Sequence, residues 1–471
     1  MELSLAVAAS LLPGSRIVRG SDALLRGAAI DSRRLVPGEL FVALRGARDG
    51  HDFAADARAA GAAALLVERE LDLALPQLLV PDTRIALGQL GAAWRARHEL
   101  PVIVVTGSNG KTTVTQMIGS ILARAFGGAN GEEEWLATRG NLNNALGLPL
   151  MLLGLRARHR AAVFELGMNH PGEMAPLSAW ARPTVALVNN AQREHQEFLD
   201  SVAASARENG EAIRALGPEG CAVFPADDPC AGIWRGLAGA RRIVDFSLGG
   251  PALVRGRPES GARGSRLRIE LPTESFTTEI ALAGEHNARN ALAAAAAAFA
   301  AGIPAGAIDA GLRAFRAVPG RGTRRRGPMG AEILDETYNA NPDSVRAAID
   351  ALARQEGWRM LLLGDMAETG NDALEVHREV GAFARERGID ALLATGVLCR
   401  AAVEAYGPGA RHCADAADLA RTARELLRAH PGAATVLVKG SRSMRMERVV
   451  EALSEDVQDG GSGPREESAH A

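Results

Sequence analysis

Short apolar runs recur along the chain, and longer stretches with apolar residues at helical spacing separate them. One series lies at residues 102–105, 161–164, 184–188 and 221–224. A second series lies at residues 332–334, 360–363, 391–393 and 435–438. Continuous apolar strands that alternate with helices are typical of a parallel sheet covered on both faces. The pattern therefore predicts two α/β domains, each built on a parallel sheet.

Other segments depart from this pattern. Residues 30–67 mix short strands with an alanine-rich helix, which predicts a small α/β domain at the front of the chain. Residues 249–276 alternate apolar and polar positions and predict an antiparallel appendage, whereas residues 285–301 predict an alanine-rich helix. We interpret the Gly-, Arg- and Pro-rich stretch 319–328 as a linker, and we expect residues 457–471 to be disordered.

Composition narrows the choice of function class. The chain has 471 residues, 47% of them hydrophobic, and its net charge of −3 gives no general reason to bind nucleic acid or an anionic membrane. Four irregularly spaced cysteines suit neither a disulfide framework nor a zinc site, so we expect a reduced, cytoplasmic setting. The apolar runs at residues 3–12 and 292–301 are too short to span a bilayer, and Glu2 disfavours a signal peptide, so we expect helix or core there.

The lysines mark a candidate phosphate site. Of 53 basic residues only two are lysine, Lys111 and Lys439, which indicates positions where a compact ammonium is needed. Lys111 lies in the sequence TGSNGKTT, between a predicted strand and a predicted helix. Backbone N–H groups in such a glycine loop hold phosphates, although Val105 replaces the usual first glycine and makes this a shortened variant. The alternative is a chance turn, and the guanine-reading Asn-Lys-x-Asp motif is absent from the sequence.

Three polar side chains could complete a Mg²⁺ site beside this loop. The hydroxyl of Thr112 follows the lysine, Glu165 closes one predicted strand, and His195 follows the next by one loop. The carboxyl ends of parallel strands face the ligand crevice of such a sheet, so these side chains can reach bound phosphates. The alternatives are a structural ion pair for Glu165 and an exposed loop position for His195.

Further polar clusters have both a structural and a binding interpretation. Asn141, Asn143 and Asn144 form either a solvated turn or a donor and acceptor array for a polar ligand. Asn287 can cap the alanine-rich helix, whereas Asn290, inside that helix, favours ligand contact.

The second predicted sheet carries its own polar strand ends. The sequence DETYNANPDS can bind ribose and base or can serve as a turn and a helix cap, for which Asp343 or Ser344 would suffice. The segments GDMAE and KGSR, which begin at Gly364 and Lys439, can present a carboxylate to an amine and a cation to a carboxylate. No Ser-His-Asp or Cys-His arrangement is apparent in the sequence, so ATP would have to activate a substrate group directly, by ligation or phosphorylation.

These motifs together resemble the Mur ligase family. The sequences TGSNGKTT, TRGNLNNALGLP, FELGMNHPGEM, GEHNARNALAA, GRG, DETYNANPDS, LLLGDMAETG and VKGSRSMRMERVV occur in the family's order. The front of the chain, DSRRLVPGELFVALRGARDGHDF, resembles a UDP-binding domain of the family. The resemblance covers residues 25–455.

The resemblance implies a fold and a reaction. It implies an α/β enzyme with a UDP-substrate domain (1–99), a central ATPase domain with a P-loop-type parallel sheet (100–318) and a C-terminal Rossmann-like domain that closes over the nucleotide (319–456). ATP would phosphorylate the terminal carboxylate of UDP-N-acetylmuramoyl-tripeptide, and the amine of D-alanyl-D-alanine would attack the acyl phosphate. We expect a monomer that inserts into no membrane and binds no nucleic acid.

The resemblance also assigns residues. Lys111, Glu165 and His195 are implied to be catalytic, and Thr112, Glu165 and His195 to hold Mg²⁺. The other implied ATP contacts are Gly107, Ser108, Asn109, Gly110, Thr113, Asn290, Arg321, Asp335, Tyr338, Asn339 and Asn341. The implied contacts to the UDP-sugar peptide are Ser32, Arg33, Asn141, Asn143 and Asn144.

The chain departs from the family at one position. Many Mur ligases carry a lysine, modified to a carbamate, in a segment that resembles Ala-Lys-Gly-Glu-Ile, and Asn209 occupies that place here. No carbamate can form there, which puts a second Mg²⁺ in question, and Glu208 is a candidate for the missing charge. Rival interpretations are a diaminopimelate-adding or folylpolyglutamate-type ligase and a P-loop regulatory switch. The first lacks its Asp-Asn-Pro-Arg motif here, and the front domain and third domain disfavour the others.

Overall fold

The computed structural model describes residues 1–20, 23–127, 133–194, 197–259, 265–367, 369–430 and 432–454. The backbone divides into two compact units. The first comprises Met1–Val318 and Glu368–Asn371, and the second comprises Pro319–Ala367 and Asp372–Ala471. The predicted disorder of residues 457–471 falls outside the described residues.

The first unit begins with a small five-stranded sheet. Its elements are β1 (Leu3–Ser4), α1 (Leu5–Ser10), β2 (Arg16–Val18), β3 (Leu24–Leu25), β4 (Ala28–Ala29), β5 (Leu40–Val42), α2 (Ala54–Ala59), β6 (Ala64–Val67), β7 (Gln77–Leu79) and α3 (Thr83–Arg95). The strand order is β2-β7-β6-β5-β4, with β1 and β3 paired separately. Asp82 begins α3 by accepting hydrogen bonds from the N–H groups of Arg84 and Ile85. The predicted α/β front segment and the predicted helix near the start of the chain are confirmed.

A nine-stranded sheet forms the centre of the first unit. Its strands are β8 (Val102–Thr106), β9 (Trp135–Ala137), β10 (Ala161–Glu165), β11 (Val185–Val188), β12 (Cys221–Pro225), β13 (Arg242–Leu248), β14 (Val254–Glu259), β15 (Ser265–Glu270) and β16 (Ser275–Ile280). Its helices are α4 (Lys111–Phe126), α5 (Gly147–Leu153), α6 (Met174–Ala181), α7 (Val202–Asn209), α8 (Glu211–Arg214), α9 (Ala231–Ala238), α10 (Glu285–Ala300) and α11 (Ala305–Ala314). The order is β16-β15-β14-β13-β12-β11-β8-β10-β9, parallel from β9 to β14 and antiparallel beyond. Both the parallel series and the antiparallel appendage are confirmed.

The surroundings of the central strand β8 explain why its sequence is mostly apolar. Val102 and Val104 pack into a core shared with α3, α5 and α6 on one face of the sheet. Ile103 and Val105 pack into a second core, with α4 and α10, on the other face. Because both faces are covered, every residue of β8 is buried. The loop that follows β8 is therefore anchored to a strand that is buried on both faces.

The second unit is a six-stranded sheet with helices. Its elements are β17 (Thr323–Arg326), β18 (Glu332–Glu336), α12 (Pro342–Ala353), β19 (Trp358–Gly364), α13 (Ala373–Glu386), β20 (Ala391–Thr395), α14 (Cys399–Tyr406), β21 (Ala410–Cys413), α15 (Ala416–Ala429), β22 (Ala434–Lys439) and α16 (Glu447–Leu453). The order is β17-β18-β22-β19-β20-β21, with all neighbours parallel except β17 and β18. The second predicted parallel sheet is confirmed.

The interpretation of residues 319–328 as a linker is wrong for four of its residues. Thr323–Arg326 is the edge strand β17, antiparallel to β18. Its three arginines are exposed, so the segment lacks the apolar alternation that identifies a half-buried strand. Charged side chains on an edge strand also discourage pairing with another chain. Among the described residues, every helix is too short or too polar to cross a bilayer.

Candidate active site

The loop between β8 and α4 has the shape that its glycines suggest. Gly107 has φ 120° and Gly110 has φ 80°, conformations that side chains disfavour. A Cβ on Gly107 would lie 2.9 Å from the backbone nitrogen of Asn189, and a Cβ on Gly110 would lie 2.4 Å from Oδ1 of Asn290. The loop therefore packs against neighbouring backbone and side chains too closely for any residue but glycine.

The backbone N–H groups of the loop fall into two sets. Those of Ser108 and Asn109 donate to the carbonyl and to the side-chain oxygen of Asn190, at 3.1 and 2.9 Å, and so hold the loop in place. The N–H groups in the first turn of α4 have no partner within the helix, and Gly110 has no side chain to cap them. With the helix dipole behind them, these donors suit an anion such as phosphate.

Lys111 begins α4 and turns back over the loop. Its Nζ donates to the carbonyl oxygens of Gly107 (2.5 Å) and Ser108 (3.2 Å) and lies 3.2 Å from Oε2 of Glu194. Glu194 is 5% exposed at its side chain. The ammonium of Lys111 thus stays at the loop, balanced by one buried carboxylate. Glu194 was not among the residues predicted from the sequence.

Thr112 and Glu165 offer oxygen ligands near the loop. Glu165, the last residue of β10, pairs in register with Val105 of β8, and both Glu165 and Thr112 are buried. Glu165 Oε1 accepts from Nδ2 of Asn143 at 2.7 Å, whereas its Oε2 is buried and has no hydrogen-bond partner among the described residues. A buried carboxylate oxygen without a donor is costly unless a cation meets it, and Mg²⁺ prefers such oxygens. The residues present therefore fit a Mg²⁺ ion, and His195, the third predicted ligand, lies outside the described residues.

A network of asparagine side chains contacts the loop between β8 and α4. Nδ2 of Asn189, which follows β11, donates to the carbonyl of Asn109 (2.7 Å) and to Oδ1 of Asn290 (2.9 Å). Asn290 in turn lies 3.4 Å from Oδ1 of Asn287. The structure thus places Asn290 against the phosphate loop. Asn189 was missed, although an Asn-Asn pair at the end of a buried strand was available in the sequence as a signal.

The residues predicted to meet the sugar peptide have different environments. Asn143 contacts Glu165, Asn144 accepts from the N–H groups of Leu146 and Gly147 at the start of α5, and Asn141 is exposed. The turn interpretation is confirmed for Asn144, whereas contact of this cluster with a polar ligand stays a prediction. Ser32 and Arg33 lie in a short turn begun by Asp31, and the hydrogen bond from Arg33 lowers the pKa of the Asp31 carboxyl.

The position expected to hold a carbamate is occupied by a buried amide. Asn209 lies at the end of α7, and its side chain contacts Thr106, Gly107 and Glu194. Glu208 does not supply the missing charge at the loop. Its Oε1 instead accepts from the N–H groups of Gly172 (2.8 Å) and Met174 (3.0 Å), where it stabilises the start of α6.

In the second unit, Asp335 is fully used in holding backbone and hydroxyl groups. Its two oxygens accept from Gly320 N–H, Thr323 Oγ1, Thr337 N–H and Thr337 Oγ1, at 2.6 to 3.2 Å. The guanidinium of Arg321 lies over the ring of Tyr338, with Cζ 3.8 Å from the ring centroid. This cation–π contact holds the guanidinium and the ring against each other.

The expected role of Ser344 in capping α12 is confirmed, with Asn341 as its partner. Asn341 is the N-cap, and its side chain accepts from the N–H of Ser344, while the hydroxyl of Ser344 accepts from the N–H of Asn341, which makes a capping box. Asn339 is exposed. Asn341 thus has a structural role that is sufficient to explain its presence.

Lys439 and Asp365 do not present free charges. Lys439 is buried and donates to the carbonyl of Asn339 at 2.8 Å, and burial lowers the pKa of its ammonium. The oxygens of Asp365 accept from the N–H groups of Leu398 (3.3 Å) and Cys399 (2.8 Å) at the start of α14. Both side chains are thus engaged by backbone groups. That these strand ends offer a carboxylate and a cation to substrates stays a prediction, and Glu368 lies outside the described residues.

Asp365 also belongs to the one grouping of metal-type donors found among the described residues, with His377 and Cys399. Both ring nitrogens of His377 are engaged, Nδ1 with the carbonyl of Ala373 at 2.6 Å and Nε2 with the N–H of Met366 at 3.0 Å. Burial raises the pKa of the Cys399 thiol well above its usual value. A neutral histidine and a protonated thiol make this grouping a structural one.

Comparison with known proteins identifies relatives over nearly the whole chain. Three sequence profiles match consecutive segments: "Mur ligase family, catalytic domain" over residues 25–98, "Mur ligase middle domain" over 105–298 and "Mur ligase, glutamate ligase domain" over 320–442. A UDP-N-acetylmuramoyl-tripeptide–D-alanyl-D-alanine ligase of Escherichia coli (strain K12) is 42% identical, with 93% of this chain and 96% of that protein covered. The protein of the same name from Bacillus subtilis (strain 168) is 32% identical, with 92% and 94% covered.

Solved structures give the same result. The crystal structure of MurF from Acinetobacter baumannii is similar with a TM-score of 0.89 and 34% identity, and 96% of this chain and 98% of that chain are covered. A MurF ligase from Thermotoga maritima in complex with ADP has a TM-score of 0.77 and 25% identity, with 91% and 96% covered.

Proposed function

We propose a function for this chain from the premise that it belongs to the Mur ligase family, as its three profile matches and its 42% identical relative establish. The chain is an ATP-dependent amide ligase that joins D-alanyl-D-alanine to UDP-N-acetylmuramoyl-tripeptide in peptidoglycan precursor synthesis. The observation that carries the mechanism is the phosphate loop, with Lys111 folded over it and the unpartnered oxygen of Glu165 close to its strand.

The reaction needs two steps. The terminal carboxylate of the tripeptide attacks the γ-phosphorus of ATP, which breaks the bond to ADP and gives an acyl phosphate. The amine of D-alanyl-D-alanine then attacks the acyl carbon, loses a proton, and the tetrahedral intermediate expels inorganic phosphate to leave an amide. Lys111 and the first-turn N–H groups of α4 stabilise charge on the transferring phosphoryl group.

We propose that Thr112, Glu165 and His195 hold Mg²⁺. A Mg²⁺ ion held there offsets negative charge on the phosphates and on the attacking carboxylate, which otherwise repel one another. Glu165 supports this assignment because its Oε2 is buried with no donor while Asn143 fixes its Oε1.

The remaining assignments are proposals of the same kind. We propose that Gly110, Thr113, Asn290, Arg321 and Tyr338 contact ATP, together with Asp335, Asn339 and Asn341, and that Ser32, Arg33, Asn141, Asn143 and Asn144 contribute to the sugar-peptide site. We also propose domain boundaries at residues 99 and 318, a monomer and a cytoplasmic location. The free state of all four cysteines supports the last of these.

The test is the dependence of phosphate release on both substrates. With ATP and Mg²⁺ present, ADP and phosphate should accumulate only when the UDP-muramoyl tripeptide and D-alanyl-D-alanine are both added. A matched reaction with free glutamate or diaminopimelate in place of the dipeptide should stay at background. Turnover that is undiminished without the dipeptide would contradict the ligase mechanism, and turnover with free glutamate would favour a folylpolyglutamate-type reaction.

A further inference from the structure

The oxygen and the nitrogen of the Asn209 side-chain amide both form hydrogen bonds. The residue is buried at the end of α7. Its Oδ1 accepts from the hydroxyl of Thr106 and from the N–H of Gly107 (2.8 Å), at the point where β8 becomes the phosphate loop. Its Nδ2 donates to Oε1 of Glu194 (3.1 Å) and to the carbonyl of Ser205 (2.9 Å).

These contacts connect the loop to its lysine. Glu194 receives Asn209 on Oε1 and the ammonium of Lys111 on Oε2, at 3.1 and 3.2 Å. Both backbone polar groups of Gly107 are held in place, because its N–H donates to Asn209 and its carbonyl accepts from Lys111 at 2.5 Å. A closed ring of hydrogen bonds thus surrounds the entrance of the loop, and its members are Gly107, Asn209, Glu194 and Lys111. Of the three side chains in this ring, that of Asn209 is the neutral one.

Only an amide fits this position. The loop presents two donors and requires an acceptor, whereas Glu194 presents an acceptor and requires a donor. An aspartate would satisfy the loop but place a second carboxylate against Glu194, and a leucine would leave both sides unpaired. A lysine would offer donors to the donors of Thr106 and Gly107.

We propose that Asn209 is a positioning residue for ATP: it fixes the entrance of the phosphate loop and orients Glu194 against Lys111. The inference rests on the proposed function only in taking this loop as the ATP site. It is testable by nucleotide binding alone, without the two amide-forming substrates, so failure of the ligase assignment would leave it standing.

The experiment exchanges donor and acceptor in the hydrogen bond between Asn209 and Glu194. Asn209→Asp should weaken binding of Mg-ADP, measured by calorimetry, on the order of 10-fold, because two carboxylates then face each other. Glu194→Gln in the same chain gives the introduced carboxylate a donor again. In the Glu194→Gln background, therefore, the loss caused by Asn209→Asp should fall to roughly 3-fold or less. An equal loss in both backgrounds would overturn the proposal.

A steady-state readout separates positioning from a general structural role. Asn209→Asp should raise KM for ATP while KM for D-alanyl-D-alanine stays unchanged, and a parallel rise of both, with a lowered Tm, would also overturn the proposal. Thr106→Val removes the hydroxyl that Asn209 accepts from and tests the same ring from the other side, with a smaller rise in KM for ATP expected. Gln355→Glu, the same amide-to-carboxylate change in the second unit, is the control and should leave both KM values unchanged.

Discussion

The two units place one lysine each at the carboxyl ends of parallel strands, but they use the surrounding polar groups differently. In the first unit, Lys111 donates to two backbone carbonyls and to Glu194, whereas Glu165 accepts from one side chain and its Oε2 is buried without a partner among the described residues. In the second unit, Lys439 likewise donates to a backbone carbonyl, but Asp365 accepts from backbone N–H groups on both of its oxygens.

We propose that this difference separates a catalytic strand end, at Glu165, from a structural one, at Asp365. A carboxylate saturated by backbone donors orders the loop or helix that supplies them, and its charge is already stabilised. A buried carboxylate oxygen without a donor is stable only if a cation meets it. Position at the end of a strand is therefore insufficient to assign a catalytic role, and the state of each oxygen decides it.

The sharpest test changes the unpartnered carboxylate to an amide. Glu165→Gln should lower kcat by about 10²–10³-fold and raise the Mg²⁺ concentration needed for half-maximal rate, because it removes the anionic oxygen proposed to hold the ion. Its stability without Mg²⁺ should not fall, since the variant removes a buried charge and keeps the oxygen that accepts from Asn143. Glu219→Gln, at an exposed position of the same unit, is the control. A rate within a few-fold of the original at every Mg²⁺ concentration would break the comparison.

The second test concerns the lysine of the first unit. Lys111→Ala should lose at least ~2 kcal/mol of transition-state stabilisation, about 30-fold in kcat/KM for ATP, because the loop loses the ammonium that lies over it. Steady-state kinetics with ATP as the varied substrate measure this loss. A near-normal rate would remove Lys111 from the site and would make the two lysines equivalent in function.

Most of the fold and part of the site follow from local sequence. The phosphate loop is contiguous in sequence, so its glycines, Lys111 and Thr112 can be recognised as one motif. Glu165 is predicted from the rule that the carboxyl ends of parallel strands face the ligand crevice. Asn209 is not readable in this way, because its partners Thr106 and Gly107 are 103 and 102 residues distant in sequence. Packing of α7 against the sheet decides which side of Asn209 faces the loop, and no local pattern records it.

In the second unit the sequence was less informative for a related reason. β17 was missed because an edge strand exposed on both sides needs no apolar alternation. The segments that begin at Gly364 and Lys439 were expected to face substrates because both lie at strand ends of one sheet. In the structure, backbone groups engage Asp365 and Lys439. These groups, the start of α14 and the carbonyl of Asn339, come from other parts of the chain.

A matched change in the second unit tests the structural half of the comparison. Asp365→Asn should lower the free energy of unfolding by about 1–3 kcal/mol, because one oxygen that accepts at the start of α14 becomes an NH₂ group facing an N–H. The Mg²⁺ dependence of the rate should stay unchanged. Urea denaturation of this variant and of Glu404→Gln, an exposed control in the same unit, measures the difference. A shifted Mg²⁺ dependence with unchanged stability would assign Asp365 to the catalytic side instead.

The last prediction is that carbon dioxide has no effect on the reaction rate. A carbamate requires a lysine amine, and both lysines are engaged, Lys111 by Glu194 and two carbonyls and Lys439 by the carbonyl of Asn339 inside the second unit. The carbamate position of other family members is occupied by Asn209, whose amide already links the phosphate loop to Glu194. Removal of bicarbonate from the assay should therefore leave kcat unchanged. A rate that falls in CO₂-free buffer and recovers with added bicarbonate would show that one of the two lysines leaves its hydrogen bonds, and Lys111→Ala and Lys439→Met variants would then identify which unit it belongs to.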